Sequence, residues 1–238
     1  MGSPIIMKTQ AIIPAAGLGT RLKSKTVKPL IALDGRPMIV HALEVFQKSP
    51  LVESVIVATA ETLRREFDSV VKKYRLTKVT KIIAGGPTRC VSVRHGLDVL
   101  DQDTKLVVIH DGVRPLVSRK ILEEAIALSY KEPAVIAAVP IKPTVKRIDL
   151  ESMTVVETLA RESIWEIQTP QVFHKDIILK AHAQAQGLTP TDDASLVERL
   201  GIKVKVLLGD YKNIKITTEE DLVMVQALLS GRLGIDKS

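Results

Sequence analysis

The sequence predicts an α/β protein: a doubly wound, mostly parallel sheet carrying a β-hairpin arm. Three observations predict it. Short aliphatic runs alternate with helical patterns along the chain. The 238 residues are 45% hydrophobic but only 3% aromatic, so the core must be built from Ile, Val, Leu and Ala, as in parallel strands covered on both faces. One stretch, Thr144 to Trp165, breaks the rhythm with β-branched and charged residues at no helical spacing. The length suits one domain over residues 1–238, with the arm inserted at about residues 141–165.

The elements follow in order. Ala11-Ile-Ile13 is a strand closed by Pro14, and Pro37 to Phe46 a helix with Pro in its first turn. Ser54 to Ala58 is a buried strand, Glu61 to Lys73 a polar-periodic helix, and Val79 to Ala84 a strand stopped by Gly85-Gly86. Arg89 to Leu100 is helical, Leu106 to Ile109 a strand, Ser118 to Tyr130 a Ser-capped helix and Ala134 to Val139 a strand. Lys175 to Gln186, Asp192 to Leu200 and Glu219 to Leu229 read as helices, with a strand at Val204 to Leu208. Thr191 is read as one N-cap, and Thr217 or Thr218 as another, ahead of Glu219-Glu220-Asp221. A lone hairpin is marginally stable, so the arm is expected to pack on another subunit.

Composition narrows the function classes. Apolar runs such as Ala134 to Ile141 are too short to span a bilayer. The net charge is +7, from 34 Lys and Arg against 27 Asp and Glu. That surplus suits a polyanionic partner, but scattered charge and scarce aromatics argue against a nucleic-acid-binding module. The single cysteine, Cys90, excludes an intrachain disulfide and a cysteine-based zinc site, and reads as a small buried residue. MGSPIIMKTQ lacks the apolar stretch of a secretory signal, and Ile6 stands where myristoylation needs Ser or Thr. A cytoplasmic location is expected.

Chemistry-bearing segments lie at predicted strand ends. In AIIPAAGLGTRLKSKTVKPL, residues 11–30, a strand runs into Ala15-Ala16-Gly17-Leu18-Gly19, small enough for backbone N–H groups to approach a phosphate. A dinucleotide fingerprint needs a third small residue where Leu22 stands, and an acid about 20 residues on, so an oxidoreductase is disfavoured. The cations Arg21 and Lys28 follow, which suits a triphosphate; a plain turn with surface cations is the simpler alternative. In IIAGGPTRCVSVRHGL, residues 82–97, Gly86 and Ser92 offer backbone and hydroxyl contacts to a base or ribose, or form only a strand-to-helix turn. VVIHDGVRP, residues 107–115, delivers His110, Asp111 and Arg114 to a strand end, where a carboxylate beside an Arg reads as site chemistry or as a structural ion pair. His110 has no second His or Cys at metal-ligand spacing and reads as a packed histidine. Thr144, Arg161, Thr169, Thr191 and Lys215 are individually unremarkable.

Taken together, AAGLGTR, Lys28, AGG-x-x-R-x-x-SV, HDGVRP, TVKR, R-x-x-x-W-x-x-QTPQ, TDDAS and NIKIT resemble the 2-C-methyl-D-erythritol 4-phosphate cytidylyltransferases of the non-mevalonate isoprenoid pathway, from about Ala11 to Leu229. The resemblance implies a Rossmann-like nucleotidyltransferase fold. It implies that Ala15, Ala16, Gly17, Gly19, Gly86 and Ser92 hold CTP, and that Arg21 and Lys28 stabilise charge at the α-phosphate. Asp111, Arg114, Thr169, Thr191 and Lys215 would hold the acceptor, a small polyol phosphate. Thr144 and Arg161 would reach in from a partner's arm in a homodimer. Val27-Lys28-Pro29 stands where the family usually has Pro-Lys-Gln, and Pro87 where an acid is frequent. A ribitol 5-phosphate cytidylyltransferase shares the chemistry and fold; TVKR looks more like the methylerythritol enzymes. Two anions must meet in the reaction, so Mg²⁺ on the phosphates is expected beside the two cations. Asp111 is the nearest carboxylate to such an ion and is not assigned as a ligand.

Overall fold

The computed structural model describes residues 7–17, 27–185 and 187–231. First comes β1 (Thr9–Pro14); a 3₁₀ turn (Lys28–Leu30) and the short pair β2 (Ala32–Leu33) and β3 (Arg36–Pro37) precede α1 (Met38–Lys48). Next are β4 (Ser54–Thr59), α2 (Arg64–Lys73), β5 (Val79–Ala84), α3 (Arg89–Asp98), β6 (Leu106–Ile109), α4 (Arg119–Leu128) and β7 (Ala134–Pro140). The arm pairs β8 (Lys146–Asp149) with β9 (Thr154–Thr158). It is followed by β10 (Trp165–His174), α5 (Lys175–Ala183), α6 (Ala194–Glu198), β11 (Lys205–Leu208) and α7 (Glu219–Leu229).

Seven strands form one sheet in the order β11-β7-β10-β6-β1-β4-β5. Every pairing is parallel except those of β10, which runs antiparallel between β6 and β7. The doubly wound reading therefore holds, with one strand that the sequence does not announce. Strand order reverses at β1, which has β4 on one side and β6 on the other. In open α/β sheets the crevice at such a reversal, outside the carboxyl ends of the strands, is where ligands bind.

Strand alternation builds two cores. Ala11 and Ile13 face α1 and α4 with Val57 and Val108. Ile12, Val107 and Ile109 face α3, α5 and α6. A third, smaller cluster seats α7 through Val225 against Leu33, Met38 and Ile216. Thr218 caps α7 in a reciprocal box with Asp221. α6 is shorter than expected, and its cap is not Thr191: the Asp192 carboxylate accepts from Ser195 N at 3.0 Å, while Thr191 is exposed. Cys90 is half-buried rather than buried.

Two contacts set the site's foundations. Gly96 lets α3 lie on β1: a Cβ there would sit 2.6 Å from Ile12 Cγ2 and 3.1 Å from its Cδ1. At the end of β6, fully buried His110 joins three segments. Its Nε2–H donates to Arg114 O at 3.2 Å, and its Nδ1 accepts from the Thr169 hydroxyl at 2.9 Å. That hydroxyl oxygen in turn accepts from Asp111 N at 3.1 Å. The carbonyl can only accept, so the Nε2 tautomer follows. Burial pushes the His110 pKa from 6.5 down to about 4.

Gly96→Ala is expected to lower stability by about 1–2 kcal/mol, because over-packing of central Ile12 outweighs the gain in helix propensity; urea denaturation checks this. For His110 the unfolded chain binds a proton near pH 6.5, and the folded chain only near 4. Between those values the unfolded state holds more protons, so stability falls as pH drops. Acidification from pH 6.5 to 4 should cost the wild type about 3 kcal/mol more than His110→Gln. Equal pH slopes in urea titrations of the two proteins would refute it.

Candidate active site

The carboxyl ends of β1, β4, β5 and β6 open into one cavity of about 700 Å³. Its floor is backbone and small side chains. Ala15 N donates to Ala58 O at 2.7 Å, which aligns the exit of β1 with that of β4. Gly85 N donates to Thr59 O at 2.6 Å, bringing the exit of β5 alongside. Gly85 cannot gain a side chain, since a Cβ would lie 2.5 Å from Ala16 Cβ and 2.9 Å from Ser92 Oγ. Ser92 is buried; its Oγ accepts from Gly86 N at 3.0 Å and donates to Thr88 O at 3.0 Å. It therefore shapes the glycine turn from below. The Thr88 hydroxyl caps α3 by accepting from Val91 N at 3.2 Å.

Charge gathers at the end of β6. Asp111 is 5% exposed and is the one carboxylate lining the cavity among the described residues. Arg89 Nε donates to its Oδ1 at 2.6 Å and Lys215 Nζ to its Oδ2 at 2.8 Å. Burial alone would push this carboxyl up, but Arg89 and Lys215 hold it well below the usual carboxylate range. The far side of Arg89 meets Asp193: NH1 donates to Oδ2 at 2.6 Å. Burial opposes the charge on Arg89, and the two carboxylates outweigh it, raising its pKa.

Of the sequence-predicted residues, Ala15, Ala16, Gly17, Lys28, Gly86, Ser92, Asp111 and Lys215 all line this cavity. Lys28 Nζ donates to Ile216 O at 3.1 Å and Thr217 O at 3.2 Å, joining the first loop to the strap after β11. Gly19 and Arg21 lie outside the described residues. Arg114 and Thr169 do not line the cavity; they are buried behind Asp111. Arg114 donates to Asn213 O at 2.6 Å and Ile167 O at 3.3 Å, and so anchors the strap. Thr144 and Arg161 are exposed at the base of the arm, where Arg161 donates to Lys142 O at 3.3 Å. Thr191, also exposed, precedes α6. Arg89 is the fixed R of AGG-x-x-R-x-x-SV, but the motif assigns it no role. A cation in the first turn of a helix opposes the helix dipole, and Arg89, directly after the Thr88 cap, meets that cost with the carboxylates of Asp111 and Asp193.

Among the described residues, no group of three His, Cys, Asp or Glu is placed to hold a metal ion. Both Asp111 oxygens are engaged by cations, so the donor set does not fit a protein-held metal cage. Among the same residues no helix is long and apolar enough to cross a membrane.

The family model described as IspD, 2-C-methyl-D-erythritol 4-phosphate cytidylyltransferase, matches residues 9–231. A protein of that name from Alkaliphilus metalliredigens is 41% identical over 232 residues, covering 96% of this chain and 95% of the relative. One from Syntrophus aciditrophicus is 43% identical over 230 residues, covering 95% and 98%. The crystal structure of 4-diphosphocytidyl-2C-methyl-D-erythritol synthase from Anaerococcus prevotii superposes with a TM-score of 0.82 at 34% identity, over 94% of this chain and 99% of that one. The sheet, the glycine-floored cavity and these likenesses agree: the chain belongs to the 2-C-methyl-D-erythritol 4-phosphate cytidylyltransferase family.

Proposed function

We propose that the cavity binds CTP over the Ala15–Gly17 turn and transfers its CMP group to 2-C-methyl-D-erythritol 4-phosphate. One observation carries the assignment of roles: a backbone-floored cavity whose charged rim combines Lys28, Arg89 and Lys215 around a single carboxylate, Asp111. A phosphate oxygen of the acceptor forms a bond to the α-phosphorus. The bond from that phosphorus to the oxygen bridging it to the β-phosphate breaks, and pyrophosphate leaves with the electron pair. The attacking phosphate has a second pKa near 6 and is mostly a dianion at pH 7, so no general base is required. What must be overcome is repulsion between two anions, and fixed cations do this best.

In this reading Ala15, Ala16, Gly17, Gly86 and Ser92 form the nucleotide bed and Lys28 stabilises charge at the α-phosphate; the same roles assigned to Gly19 and Arg21 rest on the resemblance alone. Asp111 and Lys215 orient the acceptor, with Arg114 and Thr169 supporting them from behind; a contact from Thr191, which does not line the cavity, rests on the resemblance alone. Mg²⁺ is assigned no protein cage and no step of its own; it would arrive on the nucleotide's phosphates. The phosphorylated substrates and the lone cysteine support a cytoplasmic location.

The arm supports a homodimer. Both its strands are exposed along their whole length, and Leu150 and Met153 at the tip are 82% and 74% exposed. Apolar surface of this kind marks an interface. A second copy laid against the arm would bring Thr144 and Arg161 toward its neighbour's cavity.

Pyrophosphate release with Mg²⁺ and CTP, with methylerythritol phosphate and ribitol 5-phosphate side by side, tests the reaction. Release with the first alone is expected, and Lys28→Ala should lower turnover by about 10² or more. Release with ribitol 5-phosphate alone, or normal turnover in Lys28→Ala, would overturn the respective assignment. In sedimentation, the wild type is expected at twice the chain mass, and a Leu150→Asp/Met153→Asp variant as a monomer with a raised acceptor KM. A variant that stays dimeric would remove the arm from the interface.

A further inference from the structure

One polar chain leads away from the cavity into the protein. Asp193, 1% exposed, sits at the start of α6 and gives one oxygen to Arg89 NH1 at 2.6 Å. Its other oxygen accepts from His182 Nε2 at 3.0 Å. His182 belongs to α5 and is 2% exposed. The carboxylate of Asp193 only accepts, so the proton on Nε2 points at it. Arg89 is thereby gripped from both sides: Nε by Asp111 and NH1 by Asp193. A guanidinium is planar, so fixing two of its nitrogens fixes the plane. Asp111 draws its orientation from this plane and from Lys215, which rides on the strap and is 39% exposed. Of these two cations, only Arg89 is held from behind by a buried carboxylate.

The geometry points to Asp193 as a positioning residue: held by His182, it locks Arg89, and through Arg89 it sets the orientation in which Asp111 meets its substrate. This rests on the reading of Asp111 as an acceptor contact. Asp193 itself does not line the cavity, so its influence must pass through Arg89.

Steady-state kinetics on the full-length enzyme with CTP and methylerythritol phosphate tests the link. Asp111→Asn is expected to raise the acceptor KM, and Asp193→Asn to raise the same KM about tenfold with the CTP KM little changed. In an Asp111→Asn background, the further effect of Asp193→Asn should vanish, since the two substitutions break one chain. Arg89→Lys, which keeps the charge but cannot bridge two carboxylates, should reproduce the defect if Asp193→Asn does not fold. His182→Ala should share it, and His182→Gln, which retains an N–H at the Nε2 position, should restore it. If Asp111→Asn shifts the CTP KM instead, the acceptor assignment fails, and the link requires Asp193→Asn to shift that KM too. The link is overturned by an Asp193→Asn enzyme that loses thermal stability with both KM values intact, by full additivity in the double variant, or by an Asp111→Asn enzyme with unaltered kinetics.

Discussion

A carboxylate taken almost wholly out of water is costly unless opposite charges and hydrogen bonds replace its hydration. Asp111 is such a group, and the surrounding structure is arranged around its needs. β6 brings it to the sheet edge, the cap of α3 presents Arg89, and the strap after β11 presents Lys215. Its own backbone N–H is satisfied by Thr169. Three parts of the chain far apart in sequence thus converge on one side chain. Removing any single partner would leave charge uncompensated in a place where charge is expensive.

The strap shows how this local demand organises larger elements. Ile216 N donates to Val113 O at 2.9 Å, and Asn213 Nδ2 donates to Thr169 O at 2.8 Å. Arg114 donates to the carbonyl of Asn213. The strap is therefore laced to the loop after β6 and to β10 before Lys215 reaches Asp111. Ile216 also enters the small core that seats α7. Lys28 touches the same strap through the carbonyls of Ile216 and Thr217. Both ends of the cavity are thus tied to one segment, and the position of Lys28 relative to Asp111 is set by hydrogen bonds.

Much of this fold is legible in the sequence, because parallel strands covered on both faces must read as aliphatic runs. β10 escaped for an equally physical reason. It contains Pro170 and the polar Gln168 and Gln171, and proline argues against a central strand. The strand accommodates Pro170 where its register against β7 shifts, between Ile167 and Gln171. Gln171 finds a partner in Asp192, and Gln168 in the backbone of Asp210. The site divides similarly. The glycine turn, Lys28, Asp111 and Lys215 are readable as motif residues and line the cavity. Arg114 and Thr169 stand in the same motifs but serve from behind, a distinction that depends on side-chain direction, which spacing does not encode. Arg89 is a fixed letter of AGG-x-x-R-x-x-SV, but its partners Asp111 and Asp193 come from distant segments, which spacing does not reveal.

The division between front and back residues has a catalytic meaning. A polyanionic substrate is best served by cations that are already in place, because the free energy of gathering and desolvating them is then met during folding. Lone cations in a pocket would repel one another and scatter. Here carboxylates and carbonyls act as spacers. Asp111 separates Arg89 from Lys215, Asp193 takes up the far side of Arg89, and main-chain oxygens hold Lys28. Asp193 lies outside the cavity lining, so among the described residues the charged groups that line the cavity are three cations, Lys28, Arg89 and Lys215, and one carboxylate, Asp111. Buried acid beside a site for anions is thus no contradiction: it is what allows several positive charges to stand close together before any phosphate arrives.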